Sequence, residues 1–226
     1  MDASSRIQEL EPMTGESPET ILRWAYEAFG DKVTIASSFG AEDVMLIDLA
    51  SRVYSHPDVF FLDTDLHFHE TYQLVDAIEE RYPVKLRRMS PELTLQQQAE
   101  KHGEALWARD PDLCCNIRKV EPLKRALKGY EAWITGVRRD QSPTRARAQA
   151  VEWDDKHGLV KVNPLVLLTS QDVWDWVHTH DVPYNPLHDQ GYPSIGCMPC
   201  TQPVKPGEDP RSGRWAGFDK KECGLH

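Results

Sequence analysis

The chain has 226 residues and a mass of 25.9 kDa, which suits one α/β domain. A formal net charge of −10 argues against nucleic acid or an anionic membrane surface as the main partner. The sequence contains no apolar run of membrane-spanning length. The acidic N-terminus also lacks the basic and apolar regions of a signal peptide, so we predict a cytoplasmic protein.

Strands and helices are predicted to alternate over the first part of the chain. Ser17-Pro18 is a helix cap followed by a first-turn proline, and the apolar spacing after it predicts a helix that ends at Gly30. Strands are predicted at 33–36, 58–62, 84–88 and 132–135, and further helices from about 41, at 70–82 and at 121–128. This alternation predicts an α/β fold with a mostly parallel sheet and helices on both faces.

The pattern changes after about residue 146. The stretches RAQAVEWD and LVKVNPLV predict a hairpin around Gly158. The stretch SQDVWDWVHTH predicts a helix in which Trp174 and Trp176 are packing residues. The remaining sequence is rich in glycine and proline, so we expect an irregular C-terminal tail.

A turn of small residues follows the first predicted strand. Ser37, Ser38 and Gly40 would let backbone N–H groups approach a ligand, and the helix N-terminus behind them favours negative charge. The turn is therefore a candidate phosphate-binding loop. An ordinary strand-to-helix turn has the same composition, and the turn alone does not separate the two.

A second polar turn follows the second predicted strand. Leu62 and Thr64 lie at its end, and ligands of open parallel sheets bind beyond the carboxyl ends of the strands. We expect these residues to face the same crevice as the first turn, unless Asp63 and Thr64 only cap the next helix. The nearby His67 and His69 are more typical of a surface than of a metal site, because a third ligand is missing from their neighbourhood.

The five cysteines form an adjacent pair, a C-x-x-C turn and a single residue near the C-terminus, namely Cys114, Cys115, Cys197, Cys200 and Cys223. An odd number in a chain predicted to be cytoplasmic argues against a disulfide framework. Four thiolates suit a 4Fe–4S cluster or a structural zinc. Adjacent ligands are strained around tetrahedral zinc but can reach neighbouring irons, so the spacing favours a cluster and leaves zinc or unrelated thiols open.

Sequence fragments over most of the chain resemble one enzyme family. In chain order they read SSFGAED, FLDTD, CCNIRKVEPL, WITGVRRDQSPTRA, VNPL, PYNPLHDQGYPSIGCMPCTQP, EDPRSGRW and KKECGLH. They resemble the adenylyl-sulfate and phosphoadenylyl-sulfate reductases, in the form that carries a 4Fe–4S cluster. The resemblance implies a Rossmann-like fold of the adenine nucleotide alpha hydrolase-like kind. It also implies reduction of adenosine 5′-phosphosulfate (APS) to sulfite and AMP.

The cysteine of the terminal E-C-G-L-H motif is the nucleophile in this family, and here it is Cys223. A thiolate attacks hexavalent sulfur well when cations stabilise it, and Lys220, Lys221 and His226 are its sequence neighbours. The expected products are a cysteine S-sulfonate and AMP. A thiol carrier, thioredoxin or glutaredoxin, would then release sulfite by thiol exchange, which predicts a mobile segment at 203–226.

The resemblance also assigns site residues by position. The predicted cluster ligands are Cys114, Cys115, Cys197 and Cys200. The predicted catalytic residues are Cys223, Lys119, Arg211, Arg214 and His226, of which Lys119 and the two arginines match cations that bind the phosphosulfate. The predicted substrate-binding residues are Ser37, Ser38, Gly40, Leu62, Thr64, Arg138, Arg139 and Arg145.

Two other functions stay open at the level of the sequence. The first is reduction of the 3′-phosphorylated substrate PAPS, with the four cysteines holding a cluster or zinc for structure only. The second is a non-redox nucleotide-binding relative, whose loop would ordinarily read S-G-G-x-D-S where this chain reads SSFGAE. We treat 1–226 as one domain with an N-terminal extension at 1–17 of unassigned function, and a homo-oligomer is compatible with the sequence.

Overall fold

The computed structural model describes residues 13, 15–220 and 222–225. The chain divides into two compact units, each built from three segments. The first unit contains Met1–Phe60, Asp76–Arg87 and Leu127–Tyr184, and the second contains Phe61–Val75, Arg88–Ala126 and Asn185–His226. Most of the predicted N-terminal extension lies outside the described residues, as do Lys221 and His226.

Regular elements cover much of the described chain. The strands are β1 (Val33–Ser37), β2 (Asp58–Phe61), β3 (Lys85–Arg88), β4 (Ala132–Ile134), β5 (Val151–Asp154) and β6 (Leu159–Val162). The helices are α1 (Pro18–Phe29), α2 (Ala41–Val53), α3 (His69–Arg81), α4 (Leu95–His102), α5 (Leu106–Arg109), α6 (Pro111–Cys115), α7 (Glu121–Leu127) and α8 (Ser170–Thr179). Within the described residues, no helix is both long and apolar enough to cross a membrane.

The six strands form one sheet in the order β3-β2-β1-β4-β6-β5. Strand β4 runs parallel to both β1 and β6, and Ala132 is in register with Val33 and Val160. Strand β5 runs antiparallel to β6, because a short turn at Gly158 joins them as a hairpin. The predicted α/β fold is therefore confirmed, with a mixed sheet that is mostly parallel.

The central strands are apolar because both of their faces are covered. Ile35 in β1, Ile134 in β4 and Val162 in β6 have no exposed surface. Continuous apolar runs of this kind are typical of parallel strands buried on both faces. The sequence pattern identified these strands to within one residue at most of their ends.

Helix α2 is fixed in the first unit by a buried carboxylate. Asp48 accepts hydrogen bonds from Trp176 Nε1 of α8 at 3.0 Å and from the Tyr82 hydroxyl at 3.0 Å. It also pairs with Arg52 Nε at 2.9 Å. These bonds hold the helix whose N-terminus carries the small-residue turn at Gly40.

Two helices of the second unit, α4 and α6, begin at polar caps that the sequence analysis did not use. Thr94 caps α4, and its partner Gln97 completes a capping box. Asp110 caps α6 by accepting a hydrogen bond from Leu113 N at 2.9 Å, with Pro111 in the first turn. Helix α6 ends at the adjacent pair Cys114 and Cys115, so the cap at the start of this short helix also fixes the position of the two cysteines.

Candidate active site

The small-residue turn in the first unit is closed by a carboxylate of the following helix. Asp43 Oδ2 accepts hydrogen bonds from the Ser38 backbone N–H at 2.6 Å and from the Ser38 hydroxyl at 2.8 Å. The Gly40 backbone N–H donates to the same oxygen at 3.4 Å. Ser37 is buried, and its hydroxyl accepts from Phe39 N at 3.1 Å. The N–H groups of the turn therefore converge on Asp43, whose carboxylate takes the place that a bound anion has in a phosphate-binding loop.

Burial controls the charge of this carboxylate. Desolvation raises the pKa of Asp43 to about 6, against the hydrogen bonds from Ser38, which lower it. Gly136 makes room for the group, since a Cβ at that position would lie 2.7 Å from Asp43 Oδ1. Asp43 was missed by the sequence analysis, although its place at the third position of a helix N-terminus is a typical capping position.

The three arginines predicted to bind substrate lie in the same unit and have protein partners. Arg138 is buried and pairs with Glu42 at 2.9 Å and with Asp140. Arg139 Nε donates to the Ala148 carbonyl at 2.8 Å. Arg145 Nη1 donates to Gln141 Oε1 at 2.6 Å. These contacts order the 138–149 segment, and a substrate contact for each arginine stays a prediction.

In the second unit, a change of helix type follows the adjacent cysteines. Helix α6 ends at Cys115 and continues as a π-helical turn over Asn116–Val120 before α7 begins. A π-turn widens the helix and is frequent at functional sites. It carries Arg118 and Lys119, which are both buried.

Arg118 joins this turn to the loop after β2. Its side chain is 1% exposed, and it donates to the Thr64 carbonyl at 2.6 Å and to Asp65 Oδ2 at 2.6 Å. It also donates to Gln98 Oε1 of α4 at 3.0 Å. Arg118 therefore fixes the backbone around Thr64, a role that the sequence analysis did not assign.

The C-x-x-C turn is held against the same loop. Met198 N donates to the Leu66 carbonyl at 2.7 Å, and His67 and Cys197 form an isolated antiparallel bridge. The Thr64 hydroxyl lies 3.3 Å from Cys197 Sγ. Two cysteine segments far apart in sequence are thus brought together in the second unit through the loop at 64–67.

His67 differs from the expectation that it is a surface residue. It is half-buried, and its Nε2 lies 3.0 Å from the Leu62 carbonyl oxygen. Burial lowers its pKa to about 4, against the hydrogen bond to Leu62, which raises it. His69 is exposed, as expected. Leu62 and Thr64 thus each have a side-chain partner in the second unit. His67 lies beside the Leu62 carbonyl, and Arg118 donates to the Thr64 carbonyl.

All four predicted cluster ligands line one pocket of the second unit. Its walls comprise Leu66, Trp107, Pro111, Cys114, Cys115, Arg118, Lys119, Cys197, Cys200, Arg214 and Trp215. Burial raises the pKa of Cys114 to about 12 and of Cys200 to about 11, and it also raises the pKa of Cys115. These thiols hold their protons unless a cation or metal compensates the thiolate charge.

The pocket also contains cations, among them the buried Lys119 and the half-buried Arg214. Burial lowers the pKa of Lys119, but the neighbouring cysteine sulfurs together raise it by more, so the lysine stays charged. Arg214 donates to Ser194 Oγ and to the Ile195 carbonyl, each at 3.3 Å. Its Nε is buried without a hydrogen-bond partner among the described residues. A Cβ at Gly196 would overlap the Arg214 guanidinium, so glycine leaves space for that cation.

The end of the tail (residues 203–226) lies close to this pocket. Cys223 is half-buried and lies near Cys115 and Lys119, because a thiolate at Cys223 would raise the pKa of both groups. Arg211 pairs with Glu222 at 3.2 Å, beside the predicted nucleophile. The structure therefore brings Cys223, Lys119 and Arg214 together with the four pocket cysteines, while the predicted role of His226 falls outside the described residues.

The four pocket thiols do not form a compact site for one ion. Across the described residues, no three histidine, cysteine or acidic side chains are arranged so that they could hold a metal ion. All five cysteines are free thiols. A tetrahedral zinc brings its sulfurs to about 2.3 Å from one centre, whereas a cubane binds one thiolate at each iron and needs them farther apart.

The raised pKa of Asp43 predicts a pH-dependent stability. An acid whose pKa rises from 3.8 to about 6 on folding favours the protonated native state, so its contribution is present below pH 3.8 and is lost as the pH rises through 6. We expect the unfolding free energy of the native chain, relative to Asp43→Asn, to fall by about 2 kcal/mol between about pH 4 and pH 7. Urea unfolding at a series of pH values measures this difference.

The matched control for this prediction is Asp175→Asn, which alters an exposed carboxylate of the same unit. Its unfolding free energy relative to the native chain should stay within about 0.5 kcal/mol at every pH. A difference between native chain and Asp43→Asn that does not change with pH would contradict the account of this turn.

Comparison with known proteins identifies the family. The family model described as the phosphoadenosine phosphosulfate reductase domain matches residues 32–203. The adenosine 5′-phosphosulfate reductase of Halalkalibacterium halodurans is 52% identical over 207 residues, covering 91% of this chain and 90% of that protein. The crystal structure of phosphoadenylyl-sulfate (PAPS) reductase from Candida auris, a phosphate complex, has a TM-score of 0.72 and 32% identity, over 84% of this chain and 91% of that chain.

A more distant neighbour shares the fold alone. Candida glabrata FMN adenylyltransferase, in complex with FMN and an ATP analogue, has a TM-score of 0.61 at 16% identity, over 82% of this chain and 63% of that chain. The mixed, mostly parallel sheet agrees with an adenine nucleotide alpha hydrolase-like fold. Together with the family match over 32–203, this confirms the resemblance read from the sequence: the chain belongs to the phosphoadenosine phosphosulfate reductase family.

Proposed function

We propose that this protein reduces APS to sulfite and AMP, with Cys223 as the nucleophile and a thiol carrier as the reductant. The observation that carries the proposal is the position of Cys223 near Lys119, beside a pocket that the four other cysteines line. The relatives at about half identity are named for the same substrate. A nucleotide-binding protein without redox chemistry would leave five free cysteines in one unit without a role.

The reaction proceeds through two sulfur-transfer events. The Cys223 thiolate attacks the sulfur of APS, the bond from that sulfur to the bridging phosphate oxygen breaks, and AMP leaves with the electron pair. This forms an S–S bond to a sulfonate. A carrier thiolate then attacks the Cys223 sulfur, expels sulfite and forms a mixed disulfide. The second carrier thiol displaces Cys223, so the carrier supplies both electrons and leaves as a disulfide.

Nearby cations support the first of these events. The leaving phosphate gains negative charge in the transition state, and fixed positive groups stabilise such charge without reorganisation. We assign this role to Lys119, Arg211 and Arg214. Lys119 is buried and charged, and Arg214 has an unpartnered buried N–H among the described residues. Arg211 pairs with Glu222, so APS would compete with this carboxylate for the cation.

We assign nucleotide binding to the predicted loop residues. The N–H groups of Ser38 and Gly40 already donate to Asp43, so the family resemblance carries the assignment of these two residues. Ser37, Leu62 and Thr64 complete the set by the family resemblance. The same resemblance assigns contacts with the substrate to Arg138, Arg139 and Arg145.

We propose that Cys114, Cys115, Cys197 and Cys200 hold a 4Fe–4S cluster. The residues fit such a group, because four thiols share one pocket with apolar walls and with the cations of Lys119 and Arg214. Burial raises the pKa of three of these thiols, so they keep their protons at neutral pH. Metal ligation would displace those protons. When bound, the cluster would link the two cysteine segments and place its negative charge beside Lys119.

Reduction of PAPS is the second candidate. It is favoured by the Candida auris PAPS reductase, which superimposes with a TM-score of 0.72. The four-cysteine set and the names of the more similar relatives support APS instead. Thioredoxin or glutaredoxin is the proposed carrier. The cytoplasm is the proposed location, because five free cysteines suit a reducing compartment.

The replacement Cys223→Ser tests the proposed nucleophile. A serine hydroxyl is a far weaker nucleophile toward sulfur at neutral pH, so sulfite formation should fall by about 10³-fold or more. Substrate binding and iron content should be retained, because Cys223 is not among the proposed ligands. Assays with APS and with PAPS, using reduced thioredoxin, measure the loss and the substrate preference. Sulfite formation by Cys223→Ser at a rate near that of the native enzyme would disprove the mechanism. Equal rates of the native enzyme with APS and with PAPS would favour the second candidate.

The proposed cluster is tested by anaerobic purification with iron and sulfide analysis. Replacing any one of Cys114, Cys115, Cys197 or Cys200 by serine should lower bound iron by at least about tenfold, since ligation and local folding are coupled. Cys223→Ser is the matched control and should retain the iron of the native protein. Stoichiometric zinc without iron in the native protein would exclude the cluster.

A further inference from the structure

The tail is anchored beside the C-x-x-C turn by backbone hydrogen bonds. Trp215 N donates to the Cys200 carbonyl at 3.0 Å, and Phe218 N donates to the Trp215 carbonyl at 3.0 Å. Trp215 is buried, with 4% of its surface exposed. The chain between this anchor and Cys223 is therefore short, so a few side-chain contacts decide where the thiol of Cys223 lies.

Lys220 makes the first of these contacts. Its Nζ forms an ion pair with Asp112 and lies 5.6 Å from the centre of the Trp215 ring. The Lys220 side chain is 9% exposed, so its aliphatic part is packed and its position is defined. Asp112 stands in the first turn of α6, the helix that ends at Cys114 and Cys115. The ion pair therefore ties the tail to the helix that carries the adjacent cysteine pair.

Contacts on either side of Cys223 continue the same attachment. Glu222, which precedes it, pairs with Arg211 at 3.2 Å. Gly224, which follows it, lies near Val120, since a Cβ built on this glycine would be 3.7 Å from Val120 Cγ2. Val120 ends the π-helical turn that carries Lys119. The thiol is thus held between two contacts, with the Lys220–Asp112 pair at the start of the segment.

We propose that Lys220 and Asp112 are positioning residues that hold the tail in its docked arrangement, with the Cys223 thiol presented to Lys119. The reason for holding the tail in this way rests on the proposed function. Attack on the substrate needs a docked thiol, whereas release of sulfite needs the sulfonated cysteine to reach a protein thiol. An ion pair suits that alternation, because Asp112 is largely exposed and such pairs are weak enough to open.

Reversing either charge of the Lys220–Asp112 ion pair, which we call the tether, tests the proposal. The readout is the reactivity of the Cys223 thiol in the holoenzyme without substrate. Lys220→Glu and Asp112→Lys each place like charges together, so Cys223 should react with iodoacetamide about two- to fivefold faster, the range for loss of an exposed ion pair. The exchange of both charges should restore the native rate. Trypsin cleaves after Lys221 and releases the same 222–226 peptide from each variant, so mass spectrometry of that peptide measures the rate.

The direction of the change separates positioning from a simple electrostatic effect. If Lys220 only stabilised the thiolate, its replacement by glutamate would slow alkylation, because a cation favours the reactive thiolate. Slower or unchanged alkylation in Lys220→Glu would overturn the proposal. Failure of the double exchange to restore the native rate would overturn it as well.

Lys124→Glu is the matched control. It reverses one charge of the exposed Lys124–Glu121 pair of the same unit, which is 2.7 Å apart and does not involve the tail. Its alkylation rate should equal the native rate, and a rate raised as much as in Lys220→Glu would overturn the proposal.

A single turnover with APS adds a second readout, in which AMP release should slow by a similar factor in each single variant and recover in the exchange. If alkylation follows the predicted pattern while the native enzyme releases no AMP, the proposed function fails and the tether stands.

Discussion

A buried thiol is both a poor ligand and a poor nucleophile, because burial favours the neutral form and holds the proton. The second unit buries Cys114, Cys115 and Cys197 almost fully, and this constraint accounts for much of what surrounds them. Positive charges must lie nearby for thiolates to exist there, and the buried Lys119 and the half-buried Arg214 both line the same pocket. A proposed 4Fe–4S cluster would complete the charge balance by replacing the thiol protons. The π-helical turn serves this arrangement, since it carries Lys119 four residues after Cys115.

The proposed chemistry also explains why the nucleophile is not one of the pocket thiols. A metal ligand is committed to its metal, whereas a sulfur carrier must meet both a small substrate and a protein thiol. Cys223 lies in a tail that is held by the ion pairs Arg211–Glu222 and Lys220–Asp112. Contacts of this kind each contribute little free energy, so they can define a docked position and still open. The position of Cys223 in the tail and the cations near the pocket thus both serve the proposed sulfur transfer.

The sequence predicted the strands well, because apolar runs such as Val33–Ser37 are buried on both faces and lie between clear turn signals. It also identified the cysteine groups, and the family motifs were confirmed over 32–203. Helix α4 was missed despite the Thr94–Gln97 capping box, because its apolar residues are few. Asp43 and Arg118 were missed because their roles arise from tertiary contacts. Spacing along the chain does not reveal that Arg118 donates to the Thr64 carbonyl, 54 residues away.

The most direct measurement of the central claim uses the native enzyme with APS and without a thiol carrier. The account predicts that each chain releases one AMP and gains one sulfonate, found by mass spectrometry on the 222–226 peptide. Added thioredoxin should then remove that mass as sulfite. A sulfonate on a pocket cysteine, or release of AMP without an adduct on Cys223, would contradict the account.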